Sequence, residues 1–121
     1  MPSGASPILW PEILDVRIEG NNAILDLYIP ESLGYFPGHF PGVPIVPGVV
    51  QIHWAPHYAR EKLNLKAPFR HMEAVKFKEL LLPRQRLQLY LNYHPVPGKL
   101  SFVFRTESHE YSSGRIYFHG Q

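Results

Sequence analysis

The sequence contains no cysteine, which removes disulfide frameworks, thiolate metal sites and cysteine nucleophiles from consideration. Charge of one sign is scarce as well. Twelve Lys and Arg against ten Asp and Glu leave a formal net charge of +2, too mild to point to nucleic acid as a partner. Long hydrophobic runs are also missing. The longest aliphatic-rich stretch, Val43 to Val50, is broken by Pro44, Pro47 and Gly48, and a membrane-spanning helix needs ~20 apolar residues. The opening Met1-Pro2-Ser3-Gly4-Ala5-Ser6-Pro7 has neither the basic start nor the apolar core of a signal peptide, so a cytoplasmic location is expected. No nucleophile elbow, phosphate loop or dinucleotide fingerprint occurs.

What remains is the composition of an ordinary globule: 121 residues, 45% hydrophobic and 18% charged. This predicts a single domain over residues 1–121 with one core, preceded by a loose arm at residues 1–12. The abundant residue is proline, with 13 copies, and their positions organise the chain.

Alternation of apolar and polar residues predicts a strand from Ile13 to Glu19, with Leu14, Val16 and Ile18 on one face. Gly20-Asn21-Asn22 supplies turn chemistry, and Ala23, Leu25, Leu27 and Ile29 resume the pattern, so the pair is expected to form a hairpin. Residues 30–48 hold too many prolines and glycines for regular structure. Spacings of three and four then predict a helix from Val49 to about Leu65, with Pro56 as a source of kinking. Four more strands are predicted at Met72 to Leu81, Arg86 to Tyr93, Lys99 to Glu107 and Tyr111 to His119. Two strands, one helix and four strands make an α+β domain in which a mainly antiparallel sheet wraps the helix.

The segment that carries chemistry runs from Tyr35 through Gly38-His39-Phe40-Pro41-Gly42-Val43-Pro44 to Pro47-Gly48-Val49 and on to His53. Its prolines fix φ and hold His39 in place, ahead of a helix N-terminus. Gly48 at the start of that helix presents an N–H backed by the helix dipole, an arrangement that stabilises a developing oxyanion. A base beside such a donor suits proton abstraction α to a carbonyl.

Gly38-His39-Phe40-Pro41-Gly42, followed by Pro44 and Pro47-Gly48-Val49, resembles the signature of hotdog-fold 3-hydroxyacyl-ACP dehydratases of type II fatty acid synthesis. Val75-Lys76-Phe77-Lys78 with Leu82-Pro83 and Leu87 extends the likeness, and Val46 to Ala55 looks most like the dehydratase branch associated with aryl polyene pathways. The resemblance implies a hotdog fold of about six strands around a central helix. It implies elimination of water from a (3R)-3-hydroxyacyl thioester to give the trans-2-enoyl thioester, in fatty acid or aryl polyene biosynthesis. His39 would be the base and the Gly48 amide the donor to the thioester oxygen. No cofactor is implied; an acyl carrier protein would deliver the substrate on its phosphopantetheine arm.

The resemblance further implies a site between two protomers, hence a homodimer or higher oligomer, with an apolar tunnel for the acyl chain. Phe36, Phe40, Val46, Trp54 and Phe77 are candidate walls, each equally suited to core packing. The family's acidic residue, fourteen positions beyond the base, is replaced here by His53, and His57 stands four further on where the family usually has Gln. His53 could donate a proton only as imidazolium. In the working scheme His39 and His53 act together across the dimer interface, with His57 orienting His53.

His53 and His57 at i and i+4 lack a third ligand or a HExxH glutamate, so no metal site is expected. Arg60, Lys62, Lys66, Arg70, Lys76, Lys78, Arg84 and Arg86 thinly populate the middle of the chain; they are expected to form a solvated surface, with a dock for an acidic carrier as the functional alternative. Two rivals are a thioesterase, for which the helix offers only Glu61 as water-activating carboxylate, and a non-catalytic subunit of a heterodimeric dehydratase.

Overall fold

The structure, a computed structural model, describes residues 10–31 and 45–119. The element order is β1 (Glu12–Glu19), β2 (Asn22–Tyr28), α1 (Gly48–Lys62), β3 (Phe69–Phe77), β4 (Arg86–His94), β5 (Lys99–Arg105) and β6 (Glu110–Phe118). The strands form one six-stranded antiparallel sheet in the order β1-β2-β4-β5-β6-β3. Its concave face packs on α1 through β4, β5 and β6, the α+β wrap that the pattern predicts.

The hairpin forms because Gly20 takes the first central position of the turn at φ +60°, which β-carbon-bearing residues reach only at a cost. Three central strands obey their alternation: Leu25 and Leu27 of β2, Leu87, Leu89 and Leu91 of β4, and Phe102 and Phe104 of β5 are all buried. Trp54, Ala55, Tyr58 and Ala59 supply the facing stripe of α1. The register lines up Leu25, Leu89, Phe104, Ser112 and Phe77 as one row across the sheet.

The edge strands depart from simple alternation. In β1 the register slips between Ile13 and Asp15, so Ile13, not Leu14, joins Val16 against the core, and Leu14 is 42% exposed. β3 runs Phe69–Phe77 instead of Met72 to Leu81, with slips between Phe69 and His71 and between Glu73 and Lys76. Each inserts one residue, which reverses the facing of everything beyond it. Ala74 sits in the second at φ +55°. Phe69, Met72 and Phe77, paired with Phe118, Ile116 and Ser112, thereby all reach the helix side at spacings no strand period would produce.

Helix α1 starts one residue earlier than expected and ends at Lys62, where Asn64 turns to φ +56°; asparagine tolerates that region better than most residues. The helix continues through Pro56. β5 ends at Arg105 because Thr106 Oγ1 accepts the Ser108 and His109 N–H groups at 3.3 and 3.1 Å, forming a turn. Trp10 docks on α1, stacked on His57 at 4.1 Å between ring centroids. No helix among the described residues is long and apolar enough to cross a membrane.

Candidate active site

Gly48 is the first residue of α1. The preceding Pro47 has no side-chain cap to offer, and the first turn carries no acidic residue. The Pro47 carbonyl accepts from the Val50 and Gln51 N–H groups at 3.1 and 3.3 Å, whereas the Gly48 N–H meets no acceptor among the described residues. No described residue caps the positive end of the helix dipole, which favours an incoming anion or oxyanion.

Glycine lets the Phe77 ring approach closely here, and a side chain would make that exposed ring move. A β-carbon on Gly48 would lie 2.5 Å from Cε1 of Phe77, well inside van der Waals contact. The second β3 bulge turns Phe77 onto the helix N-terminus, where its ring covers Gly48 and is still 53% exposed. Gly48, Val49, Gln51, Phe77 and Leu80 line a groove of about 340 Å³.

His53 opens elsewhere. It is exposed on the outer side of α1 and lines a second, apolar groove of about 380 Å³ with Val49, Pro56, Phe69, Met72 and Phe118. Val49, 72% exposed, is the one residue common to the two grooves. Within one chain the structure does not bring His53 and Gly48 into one cavity. No hydrogen bond joins His53 to His57; both imidazoles stack on the indole of Trp10, at 5.6 and 4.1 Å. The His57 Nε2 lies 3.7 Å from Glu61 Oε2.

The other expected site residues divide three ways. Phe77 borders the Gly48 groove. Val46 and Trp54 are buried, Trp54 wholly so against Phe104; Val46 borders the groove from below, and Trp54 lines neither groove. His39, Phe36 and Phe40 lie outside the described residues. Among the described residues no three His, Asp or Glu side chains converge as metal ligands would.

Sequence reasoning passed over Val49, Trp10, Gln51 and Ser112. Gln51 had a signal: it stands three, four and seven residues before Trp54, Ala55 and Tyr58, on the buried face of α1. Ser112 had none, because its importance comes from its row in the sheet.

The ApeI-like family, described as ApeI dehydratase, matches residues 15–115. The chain belongs to the ApeI-like dehydratase family. Among solved structures it is similar to the dehydratase heterocomplex ApeI:P from Xenorhabdus doucetiae, at 32% identity and a TM-score of 0.85, over 91% of this chain and 98% of that one. It is also similar to an uncharacterized protein from Erwinia carotovora subsp. atroseptica, at 31% identity and a TM-score of 0.72, over 96% and 98% of the two chains. Among curated proteins nothing matches. The fold is therefore the hotdog, and the likeness read from residues 46–55 to the aryl polyene dehydratase branch stands.

Proposed function

We propose that this ApeI-like chain dehydrates a carrier-bound (3R)-3-hydroxyacyl thioester to the trans-2-enoyl thioester as one half of a pair of hotdog chains. One observation carries the proposal: an uncapped helix N-terminus, with glycine at its first position, opens on a groove beneath the Phe77 ring. A thioester oxygen laid there would accept the Gly48 N–H, and the helix dipole favours the charge that grows on it as the α-proton leaves.

His39 takes that proton. The electron pair of the C–H bond forms the C2–C3 double bond, the C3–O bond breaks, and the departing hydroxyl takes a proton from an imidazolium at His53 to leave as water. Exchange with solvent then resets both imidazoles, so no cofactor is consumed.

The need for a pair follows from the two grooves. Gly48 and His53 face different cavities in one chain, yet both open on the same apolar surface, where Val49, Phe69, Met72, Phe77 and Leu80 are 37–72% exposed. Apolar exposure of this kind along an edge strand marks a contact surface. A second hotdog chain laid on it would carry the residue at its own counterpart of His53 toward this Gly48. The Xenorhabdus relative, a dehydratase heterocomplex, supports a hotdog partner; a second copy of this chain would satisfy the same geometry. As for the carrier, Lys62, Lys78 and Arg84 already pair with Glu61, Glu110 and Glu31. Arg60, Lys66, Arg70, Lys76 and Arg86 have no carboxylate partner among the described residues and are the ones left for an acidic carrier.

The thioesterase alternative is poorly served. Glu61 is engaged by Lys62 at 3.3 Å and stands about 20 Å along the helix from Gly48 at 1.5 Å per residue.

The test is turnover of a 3-hydroxyacyl pantetheine thioester, followed by formation of the conjugated enoyl product, with the chain alone and mixed with a second hotdog protein. His39→Ala should lower the rate about 100-fold or more; an unchanged rate would refute the assignment. The heterocomplex favours one other outcome. If the mixture works and His39→Ala in this chain leaves it untouched, the chain is the supporting subunit.

A further inference from the structure

Outside the aromatic side chains, only two polar residues are buried among the described ones, Gln51 and Ser112, and they are bonded to each other. Ser112 Oγ donates to Gln51 Oε1 at 2.6 Å, and Gln51 Nε2 donates to the Val46 carbonyl at 3.1 Å. The orientation of the amide is settled by chemistry: a carbonyl only accepts, so Nε2 must face Val46 and Ser112 must be the donor. Ser112 holds the place in its cross-sheet row between Phe104 and Phe77 where an apolar residue would be expected.

The consequence lies at the helix start. Gln51 grips two consecutive carbonyls, Val46 through its side chain and Pro47 through its backbone N–H at 3.3 Å. The Val46 N–H is tied in turn to the Leu81 carbonyl at 2.8 Å. Pro47 between them has its φ locked by its ring, at −58°. A peptide unit is planar, so a fixed Pro47 carbonyl fixes the opposite direction for the Gly48 N–H.

We infer that Gln51, braced by Ser112, is a positioning residue that aims the Gly48 N–H into its groove, resting on the dehydratase role proposed above. Its amide is engaged by Ser112 and the Val46 carbonyl. It converts a proline-framed loop into a donor held at one angle, and an oxyanion donor is effective only when aimed in advance.

The test compares Gln51→Met, Ser112→Ala and the double variant with the unaltered protein, alone and with its hotdog partner. Gln51→Met should lower kcat about tenfold or more, because small misplacement of a catalytic donor is costly, while KM changes by less than about twofold. Amide exchange should quicken at residues 46–51 and not in β4 or β5. The double variant removes both members of the buried pair, so it should regain stability over the singles without regaining kcat; a purely structural pair would regain both together. Folded variants with unchanged kcat, or a double variant whose kcat recovers with its stability, would overturn the inference. If the unaltered protein shows no turnover in either form, the dehydratase role falls and exchange decides the clamp. Unchanged exchange at 46–51 refutes it, and faster exchange there upholds it. Should Gln51→Met fail to fold, Ser112→Ala, which deletes a single oxygen, carries the same comparison.

Discussion

Tyr58 lies under the indole of Trp10 and beside His57, with 3% of its surface exposed. Burial pushes its hydroxyl well above the ordinary tyrosine range near 10.0, and the Glu61 carboxylate adds to the rise. In the unfolded chain the same phenol ionises near its ordinary value. Above that pH the folded state holds a proton that the unfolded state has lost, so stability falls as pH rises. Below it both states are protonated and the contribution is fully present. Urea unfolding followed from pH 8 to 11 should therefore show a decline beginning at about pH 10, shallower in Tyr58→Phe. Equal slopes in the two proteins would show that Tyr58 ionises freely. At this scale the sequence was informative about chemistry and poor about burial. Gly48 and Phe77 were nameable from motif and strand, yet Trp54, equally plausible as a tunnel wall, packs in the core against Phe104.

Elements were legible where both sides of a strand are paired. The β2–β4 and β4–β5 ladders keep one register throughout, and in these three strands alternation translates directly into burial. At the edges, β1 and β3 each slip out of register, as free strand flanks allow. The site depends on one of these slips, since Phe77 would otherwise face away from Gly48. The helix carries a different irregularity. Pro56 has no N–H, so the Ile52 carbonyl lacks its partner one turn on, a defect accommodated on the half-exposed face beside the His53 groove. Pro56→Ala should restore that bond and stabilise the chain by about 1–3 kcal/mol, read as a higher Tm. A lower Tm would mean that the ring's packing in the groove outweighs the missing hydrogen bond.

For the whole molecule, the decisive feature is the continuous apolar face formed by β3 and the outer side of α1, which holds both grooves. Val49 stands at its centre. A glutamate there would be solvated in the isolated chain but would bury a charge in any complex that covers the face. Val49→Glu should therefore leave the far-UV spectrum unchanged and shift the protein to a single chain by light scattering, whether the partner is a second copy or a different hotdog chain. Retained association would place the contact surface elsewhere.

Taken alone, the amino-acid sequence determined the α+β class and the order of two strands, helix and four strands. These follow from short-range rules: turn chemistry, periodicity over a few residues, and spacing within one loop. Closure of the sheet decided the rest. It chose which aromatic rings pack the core, turned Phe77 onto Gly48 through a one-residue bulge, gave His53 a groove of its own, and joined Ser112 to Gln51 across 61 residues of chain. Register and long-range pairing depend on every strand finding its neighbour, and no local stretch contains that information.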